Sequence, residues 1–404
     1  MEPSRIYNLE VTGFRSLRKV EWHPGTLNVV IGQNASGKSN LLKCLQLIAA
    51  ATNGRLREYV DSHRGIGSML WGGQDRYLTI ETLTDVETAT GRRLHYILEL
   101  RRVDKTLDYR IAEKYQVVDK RGGTESEYDR DHEIVGLDSI NLSDNTMAGF
   151  ERAAGSPETL LSTAKSPFVS EQHLRAAQET LSSFLILDDF HTDSNAALRQ
   201  PVTSRLETQL DQNGQNLPEV LHSLYETDYE FKDRIDAGMS AVFGDAYKEL
   251  AFPPAAEQQI QLGVRWSALQ RPEIAANLSD GTLRFLFIIT ALSLPNPPVI
   301  IAIDEPETGL HPTMMRVIAE YAADAALRSQ IIFTTHSTAF LDAFSKDDPP
   351  TVTVAEIQNG ETTLKVVDPD LLAHWLSDYS LGTLYRSKEL EQMDAAPAKV
   401  ENAA

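Results

Sequence analysis

Gly32, Gln33, Asn34, Ala35, Ser36, Gly37, Lys38 and Ser39 stand in the order a loop needs to wrap a phosphate. Glycines let the backbone curl with its N–H groups inward, and a helix that follows adds the positive end of its dipole. In that arrangement Lys38 reaches the β- and γ-phosphates and the Ser39 hydroxyl takes a place on Mg²⁺. Asn40, the next residue, is counted with the same nucleotide-binding set. The flanks agree with this P-loop spacing. Leu27 to Ile31 is an apolar, β-branched run, and Leu41, Leu42, Leu45, Ile48 and Ala49 recur at helical spacing. The ligand implied is a nucleotide, with ATP and Mg²⁺ as the natural pair.

Three later segments narrow the chemistry. The apolar run Pro298 to Ile303 reads as a buried parallel strand and ends in Asp304 and Glu305. Ligands of open α/β sheets sit at such carboxyl ends. There Asp304 can hold the metal through water and Glu305 can polarise the attacking water. Two acids capping a helix would be the plain alternative, but Pro306, Gly309 and Pro312 delay any helix until about Thr313. The next strand, Gln330 to Thr335, ends in His336, thirty-two residues past Asp304. The third segment, Asn277 to Thr282, places Ser279 and Gly281 just before an apolar helix, Leu283 to Leu292. A Ser-x-Gly turn that opens a helix offers a hydroxyl and free N–H groups to an anion.

The elements needed to position these residues can be read along the chain. Residues 5–31 are expected to form two strands. Tyr77 to Leu83 and Leu94 to Leu100 flank Ala89-Thr90-Gly91, a hairpin signal, and Leu107 to Val118 extends the sheet. Residues 119–157 are polar and turn-rich and read as an insertion. Helical spacing covers Leu174 to Phe184 and Leu217 to Phe243. Gln358 to Glu361 is a hairpin turn, and the Ala/Glu-rich stretch beyond Lys388 reads as disordered. The division expected is 1–118 with the loop and an antiparallel β subdomain, 119–157 as insertion, and 158–258 as a mainly helical second lobe. Residues 259–387 then carry the later motifs, and 388–404 form a tail. No sustained heptads are present, so a long coiled-coil arm is excluded.

Composition sets outer bounds. The 42% hydrophobic and 24% charged fractions are ordinary for soluble globular proteins, and the length allows one large domain or two lobes. Cys44 is the one cysteine, which excludes disulfides. No stretch approaches a membrane span and no signal peptide is evident, so a cytoplasmic protein is expected. Charge is uneven. Residues 1–110 hold 16 Lys and Arg against 12 Asp and Glu, a net of +4; the remaining 294 hold 22 against 46, a net of −24. Any nucleic-acid footprint must therefore come from the N-terminal part, through residues such as Arg92, Arg93, Arg101, Arg102, Lys105 and Arg110. A solvated strand face explains the same residues more simply.

The ordered set of motifs resembles the RecF/SMC-type ABC ATPases, and more narrowly the small stand-alone RecF-like ATPases of bacteria. The set is the P-loop, Leu278-Ser-Asp-Gly-Thr282, Asp304-Glu-Pro-Glu-Thr-Gly-Leu-His-Pro312 and Thr334-Thr-His-Ser337. Phe14-Arg-Ser-Leu17 and Trp375-Leu-Ser-Asp-Tyr-Ser-Leu-Gly382 match elements at the two ends. The resemblance implies an α/β P-loop NTPase of the ABC-head type, with an antiparallel β subdomain and a helical second lobe. It implies an ATP-dependent homodimer in which Ser279 and Gly281 of one subunit meet the phosphates held by the other. His336 would sense the γ-phosphate. It further implies a role in DNA repair or phage defence or the recruitment of a protein effector, and the charge balance leaves room only for weak DNA binding that depends on the dimer; the non-enzyme alternative is a nucleotide-gated scaffold. Two departures stand out: Asp280 and Thr282 replace the Gly and Gln of transporter ATPases, and no Q-loop glutamine is evident, with Asp188, Asp189 and His191 as stand-ins. An OLD-type nuclease would need a further acidic domain, and Asp368-Pro-Asp370 alone does not supply one.

Overall fold

The structure, a computed structural model, describes residues 4–73, 75–87, 92–103, 108–119, 124–130, 158–163 and 172–396. The chain forms two compact units, residues 1–184, 351–372 and 392–404 in one and 185–350 and 373–391 in the other. The Ala89–Gly91 turn and residues 120–123 and 131–157 of the expected insertion lie outside the described residues, whereas Thr124–Arg130 within it forms a strand.

In the first unit, residues 5–31 form three strands rather than two. Arg15 adopts a left-handed φ of 51°, which folds Ile6–Phe14 back onto Leu17–Trp22, and Pro24-Gly25 breaks the chain again before Leu27–Ile31. Ile6–Phe14 and Leu17–Trp22 begin a six-stranded antiparallel sheet that continues through Tyr77–Glu87, Arg92–Arg102, Tyr109–Asp119 and Thr124–Arg130. Alternation sets its buried face: Leu78 and Ile80 on one strand, then Leu94, Tyr96, Leu98 and Leu100 on the next. The buried Glu113 carboxylate accepts from Tyr96 Oη at 2.9 Å and from the Leu160 N–H at 2.6 Å, which ties residues 158–163 to the sheet.

Leu27–Ile31 belongs to a different sheet. It runs parallel to Thr351–Gln358, with Val29 opposite Val352 and Ile31 opposite Val354. Asn359 and Gly360, both at positive φ, then turn the chain into Glu361–Val366, as the Asn-Gly pair predicts. Helix Lys38–Thr52 leads out of the loop. It is held against helix Gln172–Ser182 by Gln178 Nε2 on the Thr52 carbonyl, 2.9 Å, and by Asn53 Nδ2 on the Ser182 carbonyl, 2.9 Å.

The second unit is built on three parallel strands, Leu185–Leu187, Ile300–Asp304 and Gln330–Thr335. Their side chains are almost wholly buried, which is why the sequence reads as unbroken apolar runs. Helices Asp280–Ser293 and Pro312–Ala325 contribute Phe285, Leu286, Ile289 and Ile318 to the core. The helical stretch at 217–243 is broken at Asp228, whose side chain caps Tyr229–Phe243 by accepting from Phe231 N–H at 2.9 Å. A small antiparallel sheet, Tyr247–Ala251, Gly263–Trp266 and Glu273–Ile274, follows. Beyond Lys388 the chain is helical at Glu389–Gln392, with Leu390 fully buried, where the composition suggested disorder. Leu390 and Met393 are both buried there, and the Ala396 N–H donates to the Val366 carbonyl at 2.8 Å.

Asp368 caps helix Pro369–Leu376 by accepting from the N–H groups of Asp370 at 2.9 Å and Leu371 at 3.1 Å. Asp368 thus has a local role as the cap of this helix. No helix among the described residues is long and apolar enough to cross a membrane.

Candidate functional site

The loop of the first unit is curled as a phosphate cradle would be. Lys38 is buried and folds its ammonium back into the curl, donating to the carbonyls of Gly32 at 2.7 Å and Gln33 at 3.0 Å. Gln33, Asn34, Ala35 and Ser39 are exposed, so the mouth of the loop is open to a ligand. The Ser36 hydroxyl is buried and has no hydrogen-bond partner among the described residues. A buried hydroxyl without a partner is costly, and an oxygen acceptor entering the loop would relieve it. Together with the start of a 15-residue helix, this donor set fits the phosphates of a nucleotide.

Gly37 is fixed by its surroundings. Its φ is +98°, and a β-carbon there would stand 2.0 Å from Thr362 Oγ1 and 2.8 Å from Ser16 Oγ. Those two hydroxyls lie 2.7 Å apart. Thr362 Oγ1 also donates to the Ser36 carbonyl at 3.0 Å, and Asn40 Nδ2 donates to Ser16 Oγ at 2.8 Å. The Asn40 carboxamide therefore faces this supporting network. Sequence reasoning missed Thr362, because nothing in its neighbourhood marks it. Ser16 lay inside the quoted Phe-Arg-Ser-Leu motif.

The second unit gathers the acids and the histidine at one edge. Asp304 pairs in register with Thr334, whose hydroxyl is hydrogen-bonded to Asp304 Oδ1. Glu305 takes a left-handed φ of 45°, uncommon for a residue with a side chain. Its N–H donates to the Thr334 carbonyl at 3.1 Å, and its own carbonyl accepts from Arg284 Nη2 at 3.0 Å. His336 Nδ1 lies 3.0 Å from Glu305 Oε1 and 4.0 Å from Glu307 Oε1. Glu305 and His336 are both solvent-accessible, whereas Glu307 is buried on Thr335 Oγ1. Burial pushes the Arg284 guanidinium below its usual range, opposed by Glu307, Asp304 and Glu305. Arg284 is the one charge in the apolar stretch Leu283 to Leu292, a signal that was open to be read.

Of the Q-loop stand-ins, Asp188 follows Leu187, which pairs with Ile303, so it reaches the carboxyl edge at the level of Asp304. Asp189 and His191 lie 2.9 Å apart and largely exposed. Ser279 caps helix Asp280–Ser293, its hydroxyl accepting from Thr282 N–H at 3.1 Å.

This fold is that of Smc heads. A solved Smc head bound to the C-terminal winged-helix domain of ScpA superposes with a TM-score of 0.54 at 13% identity, covering 91% of this chain and 98% of that one. A second, the Smc head with an extended coiled coil bound to the C-terminal domain of ScpA, from Pyrococcus furiosus, gives 0.52 at 12%, covering 96% and 99%. Comparison with curated proteins gave no match. The likeness shows the fold, a P-loop ATPase head of the Smc type. The family model described as "AAA domain, putative AbiEii toxin, Type IV TA system" matches residues 27–342, and the chain belongs to that family.

Proposed function

We propose that this protein hydrolyses ATP with Mg²⁺ in sites completed across a homodimer. The observation that carries the reading is the Glu305–His336 pair, 3.0 Å apart and open to solvent, one residue past Asp304. The curled loop with Lys38 inside it and the Ser36 hydroxyl, which has no hydrogen-bond partner among the described residues, support it.

In this mechanism Lys38 and the loop N–H groups bind the β- and γ-phosphates. Ser39 and Asp304 would hold Mg²⁺, which would supply positive charge to the phosphate oxygens when bound. Glu305 accepts a proton from the attacking water as the water oxygen bonds to the γ-phosphorus and the bond to the bridging oxygen breaks. His336 orients the Glu305 carboxylate and donates toward the γ-phosphate. Ser279 and Gly281 of the second subunit close the site. Catalysis of this kind is positioning and charge stabilisation.

Downstream, the acidic balance of residues 111–404 favours a protein effector over DNA. The Smc heads named above each bind a ScpA domain, which agrees with a protein partner for this fold. A role in DNA maintenance or phage defence is part of this proposal and rests on the resemblance of the motifs alone.

The test is Glu305→Gln. It should bind ATP, fail to hydrolyse it, and run as a dimer on size-exclusion chromatography only with ATP and Mg²⁺. Normal turnover in this variant would sink the assignment. Stimulation of the wild-type rate by duplex DNA at low salt would replace the effector reading with a DNA one.

A further inference from the structure

Arg199 lies in the stretch that follows strand Leu185–Leu187, eighty-one positions before Asp280, and its guanidinium is spent on the turn of the Leu278–Thr282 motif, the signature of the ABC class that the motifs resemble. Nε donates to the Thr192 carbonyl at 2.7 Å. Nη1 donates to the carbonyls of Ala275 at 2.6 Å and Leu278 at 2.8 Å. Nη2 reaches Asp280 Oδ1 at 2.6 Å. The Arg199 side chain is 8% exposed and the Asp280 side chain 74%. Hydrogen bonds from Thr192 and Arg199 hold the Asp280 carboxyl below the usual carboxylate range.

The carbonyls of Ala275 and Leu278 converge on one point immediately before Ser279, an arrangement that repels itself unless a cation fills the centre. A guanidinium can fill it because its donors form a fixed fork; a lysine ammonium has neither the reach in two directions nor the planarity. Charge-assisted bonds of this length are the strong ones. Asp280, which replaces the glycine of transporter ATPases, closes the far side of the fork.

We propose that Arg199 is the positioning residue of the trans half-site: it fixes the turn that presents Ser279 and Gly281 to the nucleotide of the second subunit, with Asp280 as its anchor. This rests on the dimer reading above. It also explains the aspartate of the signature as half of an ion pair that the transporter motif does not need. The same stretch starts at Asp188, level with Asp304, so the signature turn is tied to the edge of the sheet where the metal-binding acid stands.

The test uses full-length Arg199→Met, Arg199→Lys and Asp280→Asn, with Ser279→Arg as reference. Arg199→Met should bind a fluorescent ATP analogue like the wild type, because the loop lies in the other unit. Its ATP-dependent dimer, measured by ultracentrifugation in the Glu305→Gln background, should weaken about 10-fold or more, as loss of charged hydrogen bonds implies. Turnover should fall in parallel, and Arg199→Lys should recover part of both. Mixed with Lys38→Ala, Arg199→Met should regain activity to the level that Ser279→Arg reaches in the same mixture, since each mixed dimer keeps one intact site. A structural defect would not be rescued in trans. Should Arg199→Met prove unstable, Asp280→Asn, altered at an exposed carboxylate, must still weaken the dimer. Wild-type dimerisation and turnover in Arg199→Met or Asp280→Asn, with Ser279→Arg inactive, overturns this proposal alone. Wild-type turnover in Ser279→Arg overturns the dimer reading beneath it.

Discussion

Gly281 touches Gly309: a β-carbon built on Gly281 would stand 2.7 Å from the Gly309 carbonyl oxygen. The first turn of the signature helix and the turn that follows Glu305 are thus in backbone contact, with no room for a side chain between them. Neither backbone can yield as a flexible side chain would.

Gly281→Ala is therefore expected to push the Gly309 turn away. Overpacking of this kind costs about 1–3 kcal/mol, which for a unit of this size lowers the melting temperature by several degrees, ~2–4 °C per kcal/mol. ATP binding at the loop should be unchanged while turnover falls. Calorimetry beside an ATPase assay checks this; an unaltered melting point would mean that the contact is looser than described.

Arg284 gives a second expectation. Its Nη2 holds the Glu305 carbonyl at 3.0 Å and approaches the Asp304 carbonyl at 3.4 Å, so it supports the residue proposed to act on the attacking water in an unfavourable backbone conformation. Strained backbone persists only where the surroundings over-determine it. Arg284→Gln should lower kcat by about 10-fold or more, in line with loss of a charged hydrogen bond of ~1.5–3 kcal/mol, and leave KM nearly unchanged. Arg284→Lys should fall between. Steady-state kinetics decides it, and equal kcat in wild type and Arg284→Gln would remove the role.

Cys44 offers a probe of the loop helix. It is fully buried in Lys38–Thr52, and burial pushes its thiol up, so little thiolate forms near neutral pH. The thiolate is the reactive form. Labelling by a disulfide reagent should thus follow opening of the helix and run about 10³-fold or more slower than in denaturant. Saturating ATP and Mg²⁺ should slow it further by favouring the closed form. Labelling as fast as in the unfolded chain would show that the helix is open in solution.

Much of this was legible because the chemistry sits where local signals are strong. Gly37 and Lys38 follow an apolar strand, Glu305 and His336 end apolar strands, and Ser279 opens an apolar helix. Boundaries were less legible. The hairpin at Arg15 depends on a left-handed φ that arginine rarely takes, and Asp228 broke a helix whose spacing ran on without a gap. The supports of the site were least legible. Thr362 and Arg199 act over long sequence separations, where no periodicity links them to what they hold.

The clasp on the phosphate loop has a consequence for how the chain is made. Thr362 holds the Ser36 carbonyl across 326 positions, and Leu27–Ile31 takes Thr351–Gln358 as its parallel neighbour. A ribosome making roughly 5–20 residues per second exposes the loop roughly 15–60 s before its clasp. For that interval the motif is present and its cradle is not. A chain cut short before the Glu361–Val366 strand carries every glycine of the loop and the lysine, yet lacks the hydroxyl that sets their shape. A copy that ends before Glu361 is therefore expected to hold its loop less firmly than the full chain does, because the Thr362 hydroxyl that grips the Ser36 carbonyl is missing.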